Sequence, residues 1–303
     1  FAGPAPARPE PGGGAVLAPL RPLPAFALYA TRADSVPWRE VAGVSVACLG
    51  ADGRPAAEAA WARLAHALAL ATADWGPYPW PCLATVEDGP PGGRPRSLAG
   101  LITNLPPAGA EEPFTGAGAS GGADVRAGAD VSAGDAGAVA DPAGEAGTTA
   151  TLLHEVLHGW FGLAVPTDPE RGDWSEGLCA LLADHDRRAV HNPRWAAELR
   201  RQILRRYAAV AGTPADVPLA LWRPESGVPD VGYGKGLFFW LTLRRWLGEP
   251  TFRTALRAFL ASRLGRPTGW GPLRAAFLDQ LPERNRSEAA TFFDAWLRLR
   301  SGS

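Results

Sequence analysis

His154-Glu155-Val156-Leu157-His158-Gly159-Trp160-Phe161-Gly162 is the stretch that decides the reading of this chain. Trp174-Ser175-Glu176-Gly177 then places a glutamate eighteen positions after the second histidine. Residues four apart stack on one face of a helix, so His154 and His158 can present two imidazole nitrogens to one ion while Glu155 points beside it. With five histidines in 303 residues, such a pattern arises by chance roughly 0.004 times in a chain of this composition. A histidine pair packed on an amphipathic helix is the competing reading.

The residue types match a hydrolytic zinc site. Catalytic zinc takes three protein ligands from histidine and carboxylate and leaves a fourth position for water or substrate. His154, His158 and Glu176 supply those three, and Glu155, next to the first ligand, is the general base. The third ligand needs a second helix. Gly172-Asp173-Trp174-Ser175-Glu176 reads as a helix start with Asp173 as N-cap, and Leu178, Leu181 and Leu182 mark its apolar face. Between the two helices, Gly162-Leu163-Ala164-Val165-Pro166-Thr167-Asp168-Pro169 demands a loop. Asp184 and His185, about two turns further on, are candidates to orient the ligands by hydrogen bonding, with an exposed helical face as the other reading.

These motifs resemble the gluzincins of membrane-alanyl-aminopeptidase type, whose members carry HExxH, a following W-F/W-G and a glutamate in W-x-E-G or W-x-N-E-G. Many members place eighteen residues between the second histidine and that glutamate; seventeen intervene here. Val231-Gly232-Tyr233-Gly234-Lys235-Gly236 is similar to the family's V-x-Y-x-K-G segment, and Lys235 is the one lysine in the chain. The resemblance implies that Tyr233 donates a hydrogen bond to the oxyanion forming on the scissile carbonyl. A tyrosine capping the apolar run Leu237-Phe238-Phe239-Trp240-Leu241 is the structural alternative.

Resemblance also runs ahead of the metal motif. Trp75-Gly76-Pro77-Tyr78-Pro79-Trp80-Pro81 and Leu83-Ala84-Thr85-Val86-Glu87 look like the family's f-G-x-Y-P-y segment and the strand after it. Ser97-Leu98-Ala99-Gly100-Leu101-Ile102-Thr103 sits where the family has an edge strand that pairs with substrate backbone. The resemblance therefore implies substrate binding by Gly100, Leu101 and Ile102, with Gly100 permitting close backbone approach. There is one departure of consequence. Typical aminopeptidases of the group carry a G-x-M-E-N-like motif on that strand, whose glutamate binds the substrate's amino terminus. Residues 94–104 supply no carboxylate, and the chain has no methionine. Glu87 and Asp88 are the substitutes within reach, if they are not simply solvated turn acids.

A hydrophobic content of 46% lets the chain bury a sizeable core, and a formal net charge of −1 gives no sign of a nucleic-acid partner. Arg200, Arg201, Arg205 and Arg206 read as a solvated helix face. No run of eighteen apolar residues predicts a transmembrane span. Cys48, Cys82 and Cys179 are equally compatible with one bridge plus a thiol and with three thiols, so compartment and oligomeric state stay open. The chain starts at Phe1, which suggests a missing upstream segment, and the resemblance implies a β-rich domain there that hands over near 23–47.

Residues 106–147 are nearly all Gly, Ala, Asp, Ser and Pro. Such composition cannot offset the entropy of ordering and predicts a mobile acidic insertion. Its short echo, Gly122-Ala123-Asp124-Val125 and Gly128-Ala129-Asp130-Val131, is too brief for a calcium repeat. Apolar spacing predicts helices over 237–247, 252–264, 273–281 and 292–299. The expected fold is α+β, a thermolysin-like two-lobed zincin catalytic unit. A tail or linker at 1–22 precedes a lobe of mixed sheet and helices at 23–165, and a helical lobe follows at 166–303. The expected function is that of a zinc metallopeptidase acting on peptides with one Zn2+ per chain, aminopeptidase-like by resemblance. An endopeptidase or other gluzincin hydrolase, or a silent peptide- or protein-binding scaffold, is the alternative.

Overall fold

The computed structural model describes residues 37–87, 95–103, 105, 145–225 and 227–298, together with β1 (Arg8–Pro9) and β2 (Ala15–Val16). These first two strands form a small antiparallel pair within the stretch expected as a tail.

A five-stranded sheet follows, two of its inner strands being short runs of branched and small apolar residues with consecutive positions buried. β3 (Arg39–Val41) lies antiparallel to β4 (Val44–Gly50). The chain then crosses over through α1 (Glu58–Trp75) to β5 (Cys82–Glu87), which is parallel to β4. The face that α1 buries is written in its spacing, since Ala60, Trp61, Leu64, Ala67, Leu68, Ala71 and Trp75 recur every three or four residues. β6 (Arg96–Leu98) and β7 (Leu101–Thr103) form a hairpin, and β7 is parallel to β5.

The strand order is β3-β4-β5-β7-β6, and this corrects the expectation for the substrate edge. Leu101 and Ile102 lie on an inner strand with β5 on one side and β6 on the other. Gly100 makes the turn between β6 and β7 at φ +75°, where a Cβ would meet the Cys82 carbonyl oxygen at 3.0 Å. Among the described residues the edge at this end of the sheet is β6, and β3 is the edge at the other. The turn at 99–100 was legible as a glycine but not as a reversal, because Ala99-Gly100 is only a weak turn signal.

α2 (Glu145–His158) carries the histidine pair and packs against α1. Its start corrects the insertion's far boundary, because Glu145, Ala146 and Gly147, assigned to that stretch by composition, are drawn into the helix by the apolar run behind them. Residues 106–144 lie outside the described residues, as does Asp88. Past α2, β8 (Phe161–Gly162) pairs with β9 (Val165–Pro166) across a tight turn.

The second lobe is helical. α3 (Ser175–Cys179), a π-helical turn over Ala180–His185, and α4 (Asp186–His191) form one continuous rod. α5 (Pro193–Val210) follows, capped by Asn192, whose side chain accepts from the Arg194 N–H at 3.0 Å. A second π-helical turn, Asp230–Lys235, leads into α6 (Gly236–Leu247), and α7 (Glu249–Arg263), α8 (Trp270–Asp279) and α9 (Glu283–Arg298) complete the lobe. The predicted helix at 292–299 begins nine residues earlier, at Glu283, since its first turns are polar and carry no apolar period. Phe239, Trp240, Phe252, Trp270, Phe277 and Phe293 fill the core of this lobe in edge-to-face and tilted contacts. All three cysteines are unpaired thiols. No described helix is long and apolar enough to cross a membrane.

Candidate metal centre

The metal helix is braced before it reaches the site. Trp80 donates from Nε1 to the Gly159 carbonyl at 3.1 Å, and Tyr78 packs edge-on against Trp160 at 5.1 Å. The aromatic-proline stretch after α1 thus fixes the end of α2, and with it the two histidines. On the other side Trp174, fully buried, donates to the Thr268 carbonyl at 2.7 Å and ties the start of α3 to the helical lobe. Asp173 caps that start, its Oδ1 accepting from the Ser175 and Glu176 N–H groups at 2.7 and 3.2 Å. These anchors aim Glu176 back at α2.

The three expected ligands meet. His154 Nε2 and His158 Nε2 lie 3.2 and 3.3 Å from the same carboxylate oxygen of Glu176, and all three donor atoms fall within 4.8 Å of one another. A tetrahedral ion with bonds of about 2.0–2.1 Å separates its ligand atoms by about 3.3–3.4 Å, so both the donor set and the spacing fit zinc. The cluster is positioned to hold one Zn2+.

Each histidine is turned by its outer nitrogen. His154 Nδ1 contacts Asp184 Oδ2 at 3.1 Å, and His158 Nδ1 contacts the Phe161 carbonyl at 3.0 Å, with Cys179 Sγ 3.7 Å away. Such bonds fix the tautomer that aims Nε2 inward. Asp184 therefore contacts a ligand histidine. His185 does not, because the next residue of a helical turn points to another face. Its Nδ1 donates to Asp186 at 2.9 Å and its Nε2 accepts from Arg200 at 2.7 Å.

The site's electrostatics describe its metal-free form. Burial pushes the His154 imidazole down, but hydrogen bonds to Asp184 and Glu176 outweigh it and hold the group well above the usual range. For His158 burial is likewise outweighed, by Cys179 and Glu176. Glu176 is raised by burial and lowered further by the two histidines, ending far below the usual carboxylate range. Burial, reinforced by the Glu176 charge, pushes Asp173 up to about 6. Protons thus occupy the imidazoles until a metal displaces them. Zinc uptake is expected to release protons and to weaken as pH falls from about 7 to about 5, by about tenfold per pH unit for each proton displaced. A competition titration against a fluorescent chelator, with a pH dye reporting release, checks this; uptake indifferent to pH would contradict the ligand set.

Two further groups border the triad. Glu155 Oε2 accepts from the Ser97 hydroxyl at 2.5 Å, and Ser97 Oγ also lies 2.9 Å from the Glu155 carbonyl oxygen. The Tyr233 ring stacks on His154 at 6.1 Å and meets Trp222 edge-on at 5.7 Å. Burial, followed by the charges of Glu176 and Glu155, raises the Tyr233 phenol well above its usual range. At neutral pH that hydroxyl keeps its proton and remains a donor.

A close approach of two backbones brings Tyr233 here. A Cβ on Gly177 would meet the Gly236 carbonyl carbon at 2.7 Å and the Gly232 oxygen at 2.9 Å. Glycines from two separate motifs thus let α3 and the Tyr233 turn touch. Glu87 behaves otherwise than expected, since Arg63 holds its carboxylate at 2.8 Å. Sequence reasoning missed Ser97, the Phe161 carbonyl and this glycine contact, and none of them carries a local signature.

No family model matches the chain. Aminopeptidase O of Rattus norvegicus is 29% identical over 45% of this chain and 20% of its own length. The Homo sapiens protein of that name is 27% identical over 48% of this chain and 22% of its own. An M1 zinc metallopeptidase of Deinococcus radiodurans matches in structure over 86% of this chain and 50% of its own, at TM-score 0.57 and 20% identity. A variant of it bound to a Tyr-Ser-Ala substrate matches over 89% and 52%, at TM-score 0.60 and 19% identity. The chain has the M1 zinc metallopeptidase fold. It spans about a fifth of the curated relatives it matches and about half of the M1 structures. The two-lobed zincin architecture and the converging triad agree with the gluzincin resemblance, the histidines coming from α2 and the glutamate from α3.

Proposed function

We propose that this chain is the catalytic unit of a zinc-dependent metallopeptidase, aminopeptidase-like like the relatives it resembles. The convergence of His154, His158 and Glu176, with Glu155 beside them and the Tyr233 ring stacked on His154, carries the reading. When bound, zinc supplies a Lewis acid that polarises the scissile carbonyl and acidifies water. Glu155 accepts the proton of the attacking water and returns it to the leaving amine. Tyr233, a protonated donor, stabilises the oxyanion as charge develops there. The outer edge of β6, unpaired by any strand among the described residues, offers main-chain hydrogen bonds to an extended peptide. Gly100, Leu101 and Ile102 then support that edge from the turn and the inner strand. The lobes divide near 165–166.

The commitment of Glu87 to Arg63 favours a second reading, an endopeptidase that does not grip a free amino terminus. Zinc-loaded protein is expected to cleave short peptides and to lose that activity to a chelator. Release of the first residue from free peptides, with N-acetylated ones spared, supports the aminopeptidase; equal cleavage of both supports the endopeptidase. Failure to cleave either removes both.

A further inference from the structure

Glu155 is held from outside its own helix. The Ser97 hydroxyl, on edge strand β6, contacts Glu155 Oε2 at 2.5 Å. The same oxygen lies 2.9 Å from the Glu155 carbonyl, so the serine bridges the side chain and backbone of one residue. A hydroxyl has a single proton to give, and the shorter distance identifies the carboxylate as its main acceptor. Main-chain pairing of Ser97 with Ile102 holds the strand in register, so the hydroxyl sits on a rigid element.

We propose that Ser97 is a positioning residue that sets the orientation of the Glu155 carboxylate, tying the helix-borne base to the sheet edge. This rests on the peptidase reading above. A carboxylate on a two-carbon stem otherwise samples several rotamers, and only some of them aim an oxygen at a water beside the ligand triad. Because the hydroxyl comes from β6, base and bound peptide share one reference: a substrate strand laid along that edge and the carboxylate that serves it are held by the same three residues. The bond needs a hydroxyl at 97 and a side chain no larger than the strand–helix gap allows.

Ser97→Thr and Ser97→Val form the decisive pair, since both are β-branched, both suit a strand, and they differ chiefly by the hydroxyl. Ser97→Val is expected to bind zinc as the parent does and to lose kcat by about tenfold to a hundredfold with little change in KM, and Ser97→Thr to recover most of it. Crystal structures of the metal-free parent and the two variants supply a readout independent of turnover. In Ser97→Val the Glu155 carboxylate is expected to leave its present rotamer, and in Ser97→Thr to keep it. An unmoved carboxylate in Ser97→Val, or equal kcat in the two variants, overturns the proposal. If the zinc-loaded parent cleaves no peptide, the peptidase reading fails, and the carboxylate positions alone still decide the role of Ser97.

Discussion

Glu155→Gln is expected to slow peptide hydrolysis by about 10²–10⁴-fold, the range that a positioned general base contributes. The substitution preserves shape and the capacity to accept the Ser97 hydroxyl, and it changes none of His154, His158 and Glu176. Zinc content should therefore stay near one per chain, and thermal stability should hardly move. What disappears is the ability to take a proton from water, because an amide oxygen is a far weaker base than a carboxylate. Steady-state kinetics on a peptide, beside metal analysis of the same preparation, checks the result. Retained turnover with full zinc would remove Glu155 from the mechanism, and loss of zinc would mean that the variant tests the fold of the site instead of its chemistry.

Lys235→Met should cost about 3–5 kcal/mol of stability, the penalty for removing one partner of a buried ion pair. Lys235 Nζ lies 3.5 Å from Asp216 Oδ1, and the Asp216 side chain has no exposure to solvent. The Tyr207 hydroxyl at 2.8 Å and the Gly212 N–H at 3.2 Å also serve that carboxylate. Burial pushes the lysine ammonium down while Asp216 draws it back up. Urea unfolding is the measurement. The double variant Lys235→Met/Asp216→Asn should recover part of the loss, because the buried negative charge goes with its partner. Since Lys235 lies in the same π-helical turn as Tyr233, the single variant should also lower kcat.

This network shows why the V-x-Y-x-K-G segment reads as a unit. Its lysine anchors the turn to Asp216, its glycines admit the backbone of α3, and its tyrosine faces the metal ligands. The resemblance pointed to Tyr233 alone. Both π-helical turns escaped the sequence, as an extra residue in a helical turn leaves the apolar period almost unchanged over so short a stretch. They lie at the site, one carrying Asp184 and the other Tyr233.

The pairing of His154 with His158 and the place of Glu155 beside them were settled by sequence alone, because helical geometry puts residues four apart on one face wherever the helix lies. The same locality made α6 and α7 readable from apolar spacing, and the chemistry of two imidazoles and a carboxylate named the metal. Tertiary structure decided everything that crosses between elements. It brought the Glu176 carboxylate within 3.3 Å of both imidazoles, assigned the sheet edge to β6, bound Glu87 to Arg63 and set the Ser97 hydroxyl on Glu155. Those contacts join residues 18 to 58 positions apart in the chain, and no local rule of spacing can encode a distance that the packing of whole helices and strands creates.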